Sequence, residues 1–158
     1  MRVLGNQPEA STVSSTKNRV LFLAIAVLSV AGMADSAVSL QRHYAKSVSA
    51  FCDVGERFNC DIVNRSEYSS VMGIPVAGIG VVGYGVLLAL ATVYRSRPET
   101  PLRLLVAAGA GLGFALYLTY VEGYVLDTWC ILCLGSLALI ATITGLAGVV
   151  KARASATQ

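Results

Sequence analysis

The sequence predicts an all-α integral membrane protein, a bundle of four helices with one long loop facing outward. Three observations carry that expectation. The 158 residues are 55% hydrophobic and only 13% charged, against roughly 25% charged in an ordinary soluble domain, and mean hydropathy is +0.66. Four apolar runs each approach the ~20 residues that a helix needs to cross hydrocarbon. Between the runs, Lys and Arg alternate from dense to sparse, as a positive-inside orientation requires. The length fits one domain. The net charge of +3 is small and the basic residues are scattered rather than striped, which argues against a nucleic-acid surface.

The elements follow in order. The polar start "MRVLGNQPEASTVSST" opens a cytoplasmic tail, residues 1–18, that is expected to be disordered. The membrane domain covers 19–150. Its first span, 20–40, is interrupted only by Asp35. Lys17 and Arg19, the apolar stretch and the small residues near 34–37 also fit a secretory signal; apolar character persisting to Leu40 favours a retained helix. Gly73 and Pro75 mark a turn before the second span, 74–94. Arg95, Arg97, Pro98 and Pro101 break the chain before the third, 102–126. A short "LDTW" connection leads to the fourth, 130–150, and a tail, 151–158. Glycines at 80, 83, 85, 109, 111 and 113 are expected to let neighbouring helices approach closely.

Arg2, Lys17 and Arg19, then Arg95, Arg97 and Arg103, then Lys151 and Arg153 define the cytoplasmic segments. Both termini are therefore expected inside, with the loop 41–73 and "LDTW" outside. In that outer loop Arg42, Lys46, Arg57 and Arg65 are balanced by Asp53, Glu56, Asp61 and Glu67. Tyr120, Tyr124 and Trp129 fit an interfacial aromatic belt.

This orientation gathers Cys52, Cys60, Cys130 and Cys133 on the oxidising side, where an even cysteine count implies disulfide chemistry. Structural bridges, a redox relay and a metal site all remain open. A bridge over the Cys52 to Cys60 loop would restrain a flexible segment. A bridge within "CILC" would constrain almost nothing, since residues three apart on a helix are already neighbours. The free N–H groups of a helix N-terminus instead stabilise a thiolate, the nucleophile of thiol–disulfide exchange. Four thiolates could bind zinc, but C-x7-C with C-x-x-C is not a familiar finger spacing. A relay at a membrane surface can reach a quinone, the two-electron acceptor dissolved in the bilayer. Tyr84, Phe114 and Tyr117 could shape an apolar pocket or simply pack. Asp35 and Glu122 are ionisable groups in apolar spans, where such groups are rare and often functional; snorkelling to the interface is the plainer reading. His43 is assigned no role, and Met33 and Met72 read as packing.

The stretch "FCDVGERFNCDIVNRSEYSSVMGIP", with "WCILC" some seventy residues later, resembles the vitamin K epoxide reductase family over roughly residues 20–150. The resemblance implies a four-helix bundle around a quinone pocket near the outer surface, with a short helical segment of the loop lying over it. It implies that Cys133 contacts the quinone, that Cys130 resolves Cys133 and exchanges with Cys60, and that Cys52 meets an external thiol protein. Ser66 matches the family's loop serine or threonine, with a helix cap as the alternative. Vertebrate members carry an asparagine and a tyrosine where this chain has Val76 and Leu137, so an ordinary quinone, menaquinone or ubiquinone, is expected rather than an epoxide. No thioredoxin-like domain is expected after the last span. The implied partner is a separate thioredoxin-fold, DsbA-like protein at the outer face of a bacterial inner membrane, and no metal is implied. The competing reading is a non-enzymatic membrane scaffold with two structural disulfides.

Overall fold

A computed structural model of the chain describes residues 8–46 and 57–156, with side chains described from Lys17. Four long helices dominate: α1 (Pro8–Tyr44), α3 (Val76–Thr92), α4 (Thr100–Tyr124) and α5 (Ile131–Ala156). Between α1 and α3 lie the one-turn helix α2 (Cys60–Asn64), a 3-10 turn (Glu67–Ser69) and a minimal hairpin of β1 (Ser70–Val71) and β2 (Ile74–Pro75). Strands β1 and β2 pair antiparallel, Ser70 with Pro75 and Val71 with Ile74. Met72 and Gly73 close the hairpin with φ of 53° and 82°. Two consecutive left-handed residues make the tight turn that matches strand twist.

The all-α membrane bundle is as expected, with two differences of extent. Helix α1 begins at Pro8, so residues 8–18 are helical where a disordered tail was expected; the polar composition of that segment is not incompatible with helix. Among the described residues three helices, Lys17–Tyr44, Thr100–Tyr124 and Ile131–Ala156, are long and apolar enough to span a membrane. The second expected span, 74–94, contains only the 17 residues of α3. At ~1.5 Å per residue α3 is about 26 Å long, slightly under the ~30 Å hydrocarbon core. Ile74 and Pro75 are apolar but belong to β2, so hydropathy alone assigned them to the helix.

Helix α1 packs chiefly on α3 and also on α5, which in turn packs on α4. The shared core comprises Ile25 from α1, Tyr84, Leu87 and Ala91 from α3, Leu104 and Ala108 from α4, and Ile140, Ile143, Ala147 and Val150 from α5. Val27, Val82, Val106 and Leu116 point outward instead, where lipid is the natural solvent for them. Hydroxyls in the helices bond their own backbones: Ser29 to the carbonyl of Ile25 at 2.7 Å and Thr119 to that of Ala115 at 2.9 Å. Such bonds satisfy polar groups where water is absent.

The α1–α3 contact depends on small residues. A Cβ at Gly32 would land on the Tyr84 ring, and one at Gly80 would come 2.7 Å from Ser36 Oγ. Between α4 and α5, a Cβ at Gly111 would likewise come 3.2 Å from Ile140. Gly83, Gly85, Gly109 and Gly113 have open space where a Cβ would stand, so the expected close-packing role does not apply to them.

Candidate active site

The site is assembled by one tight reversal between α4 and α5. Leu126 N–H returns to the carbonyl of Val121 at 3.0 Å and Thr128 N–H to that of Glu122 at 3.1 Å. Asp127 lies between them with φ of 47°, a left-handed conformation that Asp tolerates better than most residues. The reversal folds Cys130 back over the last turns of α4, where its N–H donates to Glu122 Oε2 at 3.1 Å. Cys130 then caps α5. Its carbonyl accepts from Leu134 N–H at 3.0 Å, and its Sγ accepts from Cys133 N–H at 3.4 Å. The sulfur thus takes the place that an oxygen of Ser, Asp or Asn usually fills at a helix start.

The outer loop is pinned to this reversal by backbone. Trp129 N–H donates to the carbonyl of Arg57 at 2.8 Å, and Asn59 N–H to the carbonyl of Trp129 at 3.1 Å, a parallel bridge between Phe58 and Trp129. Asn59 caps α2, its Oδ1 accepting from the N–H groups of Asp61 at 3.0 Å and Ile62 at 3.1 Å. These two anchors set Cys60 against Cys130. Both are fully buried and share a small apolar cluster with Val63, flanked by Leu126, Leu132 and Cys133. Cys60 is disulfide-bonded, whereas Cys130 and Cys133 carry free thiols. Cys52, expected to act with Cys60, lies outside the described residues.

Beneath the loop is a cavity of about 350 Å³ enclosed by α1, α3, α4 and α5 and roofed by α2 and the 3-10 turn. Its walls are mostly apolar, with Val76, Leu87, Phe114, Leu118 and Leu132 among them. Cys133 lines it and Cys130 does not; one thiol is presented to the cavity and the other is held behind it. The volume lies within the ~300–1,000 Å³ usual for small-molecule sites.

Of the residues singled out from sequence, Ser66, Val76, Tyr84 and Phe114 line the cavity. Tyr117 does not; it is exposed and stacks on Phe114 with ring centroids 6.5 Å apart. Ser66 precedes the 3-10 turn but makes no side-chain cap there; its hydroxyl donates to the carbonyl of Val63 at 2.8 Å. Leu137 is not in the wall, while its neighbour Ser136 is. Tyr84, at the edge of the core, donates its hydroxyl to the Ser136 carbonyl at 2.9 Å. Asp35 and Glu122 both line the cavity, from α1 and α4. Glu122 is no interfacial snorkeller: it is only 1% exposed.

Two lining residues were not legible from sequence. His43, assigned no role, reaches the cavity from the end of α1, with Nδ1 bonded to the carbonyl of Asn64. That contact fixes Nδ1 as the protonated nitrogen, since a carbonyl only accepts. Asn64, at the last turn of α2, is buried, and its Nδ2 has no hydrogen-bond partner. A lone Asn in a polar loop gives no signal in sequence; only the docking of α2 over the cavity distinguishes it. Among the described residues no three His, Cys, Asp or Glu side chains converge as metal ligands do.

A dithiol at a helix start, a cavity beside one of its sulfurs and a disulfide-bonded cysteine behind the other make a constellation suited to thiol–disulfide chemistry within a membrane. The family model described as the vitamin K epoxide reductase family matches residues 23–147, most of the chain. The chain belongs to the vitamin K epoxide reductase family, a family of membrane oxidoreductases.

Proposed function

We propose that the protein is a thiol:quinone oxidoreductase that drives disulfide-bond formation. In this reading electrons leave a reduced thioredoxin-fold, DsbA-like protein at the outer face and enter through Cys52. They pass by thiol–disulfide exchange from the Cys52/Cys60 pair to the Cys130/Cys133 pair, and from there to menaquinone or ubiquinone. The protein lies in the cell membrane with both termini cytoplasmic and the four cysteines on the opposite side. One observation carries the reading: a free thiol, Cys133, lines an apolar cavity, while its helix neighbour Cys130 packs on the disulfide-bonded Cys60.

The cavity fits a quinone ring. Its walls are apolar, its volume suffices, and Asn64 Nδ2 is a buried donor without a partner. An orphaned donor at a cavity wall is costly unless a ligand satisfies it, and a quinone carbonyl is an acceptor of that kind. When bound, the quinone accepts two electrons and two protons. The chain's own part is to position and to exchange. Cys133 faces the acceptor, Cys130 stands one helical turn away to close the disulfide, and burial of Cys130 shields its sulfur while the half-buried Cys133 lines the cavity. Cys130, against Cys60, is the sulfur placed for attack by a Cys60 thiolate when Cys130 and Cys133 are bridged, with Cys133 as the leaving thiolate.

The test is quinone reduction by the purified protein in lipid, driven by a reduced dithiol, with menaquinone- and ubiquinone-type acceptors. Turnover that vanishes with Cys133→Ala and partly survives Cys52→Ala with a small reductant fits the relay. Absence of turnover with every quinone, together with a stability that depends on both cysteine pairs being bridged, fits a membrane scaffold instead.

A further inference from the structure

We propose that Glu122 is the proton acceptor of the Cys130/Cys133 dithiol and the donor that returns those protons to the quinone oxygens; the inference rests on the quinone reading above. The carboxyl is 1% exposed in the middle of the site. Oε2 accepts the Cys130 N–H at 3.1 Å. The carboxyl also faces the Cys133 thiol, and beyond that thiol Oε1 has no partner. Among the described residues no Lys, Arg or His forms an ion pair with it; the single ion pair there is Arg103 with Glu99, at the other end of α4. Capping Cys130 needs one neutral acceptor, which Gln would supply equally well. The second oxygen, buried in a residue that lines the cavity, is surplus to that structural task.

The chemistry requires such a group. Oxidising the dithiol forms one S–S bond, releases two electrons and frees two S–H protons; reducing a quinone to a quinol consumes two electrons and two protons. Cys130 is fully buried and Cys133 half-buried, so a carrier within the site spares the protons a route through bulk water. A thiolate and a carboxylate held side by side repel, and one shared proton removes the repulsion. Glu122 takes the Cys133 proton as that sulfur gives up electrons and passes it to one quinone oxygen. Returned to carboxylate, it takes the proton of Cys130 as that sulfur closes the disulfide and passes it to the second oxygen.

The test compares wild type, Glu122→Gln and Glu122→Ala in two assays. In the first, quinone-free reduced protein is alkylated with iodoacetamide at one neutral pH and Cys133 labelling is followed by peptide mass spectrometry. A carboxylate that shares a proton with the thiol disfavours the reactive thiolate, so Glu122→Gln is expected to speed labelling about tenfold. A carboxyl that only caps Cys130 predicts no change, and an unchanged or slower rate overturns the proposal. In the second, single-turnover quinone reduction is expected to fall ~100-fold in both variants, with formate restoring Glu122→Ala and equal chloride having no effect. Loss without rescue by formate overturns it too, by reducing Glu122 to a cap. Should wild type reduce no quinone, the proposed function fails while the labelling assay still decides whether Glu122 shares a proton with Cys133.

Discussion

Cys60 and Cys130 stand at the starts of two helices, are equally buried and pack on each other, yet the two helix starts are built differently. Helix α2 is capped by Asn59, whose amide oxygen takes the first free N–H groups, and Cys60 follows with its sulfur held in a disulfide. Helix α5 has no such oxygen. Cys130 is itself the cap, and its sulfur accepts the N–H of Cys133. The difference separates a cysteine whose helix is capped by a neighbour's oxygen from one whose own sulfur does the capping. It also places the second thiol of α5 on the cavity side, where α2 offers Asn64 instead.

The sharpest way to break this comparison is to delete one sulfur at each helix. Cys133→Ala is expected to abolish quinone reduction, a loss of at least ~1,000-fold as for removal of a group that acts in the chemical step itself, measured as quinol formed in a single turnover. Cys60→Ala, by contrast, is expected to retain quinone reduction when a small dithiol reduces Cys130 and Cys133 directly. Equal losses in the two variants would mean that the helix starts are not functionally distinct.

Asn64 tests the cavity side of α2. Asn64→Ala removes the orphaned donor without touching either thiol. It is expected to raise the quinone KM about tenfold, the 1.4 kcal/mol of one hydrogen bond, while Cys133 alkylation in quinone-free protein stays at the wild-type rate. An unchanged KM would place the quinone carbonyl elsewhere in the cavity.

How much of this could be read in advance follows from what each feature depends on. The membrane bundle and the convergence of Cys60, Cys130 and Cys133 rest on apolar runs and loop order, which are linear properties of the sequence. The start of α3 does not: Ile74 and Pro75 read as span, and only their pairing with Val71 and Ser70 removes them. Glu122 was conspicuous as an acid in an apolar run. Its burial depends on the reversal through Asp127, which puts Cys130 over it, and no hydropathy window contains that. His43 and Asn64 share one contact across 21 positions, so neither carries a local signal. Tyr117 lies one helical turn from Phe114 but on the outward side, a distinction that requires knowing which face of α4 meets the bundle.

Helix packing supplies a control that leaves both helix starts intact. Gly32→Val would drive a side chain into the Tyr84 ring and is expected to destabilise the bundle by about 1–3 kcal/mol, as overpacking does. Because Tyr84 also holds Ser136 beside the cavity, quinone reduction should fall along with thermal stability. A fall in activity at unchanged melting temperature would indicate that the cavity, not the α1–α3 contact, absorbs the strain.

The smallest effect is the most informative about the caps themselves. Asn59→Ala leaves two N–H groups of α2 without their acceptor, which costs about 1 kcal/mol at a typical helix start. A five-residue helix has little else of its own to resist that loss, since short helices are marginal without tertiary support. The remaining support includes the Phe58–Trp129 bridge, the burial of Cys60 and Val63, the Cys60 disulfide and the His43–Asn64 hydrogen bond. The expected outcome is therefore local: faster amide exchange over α2, slower exchange between the external dithiol and Cys130, and an undiminished single-turnover rate once Cys130 and Cys133 are reduced. If the quinone step slowed equally, the roof formed by α2 would be part of the quinone site rather than a holder for Cys60, and the contrast between the two helix starts would be one of degree.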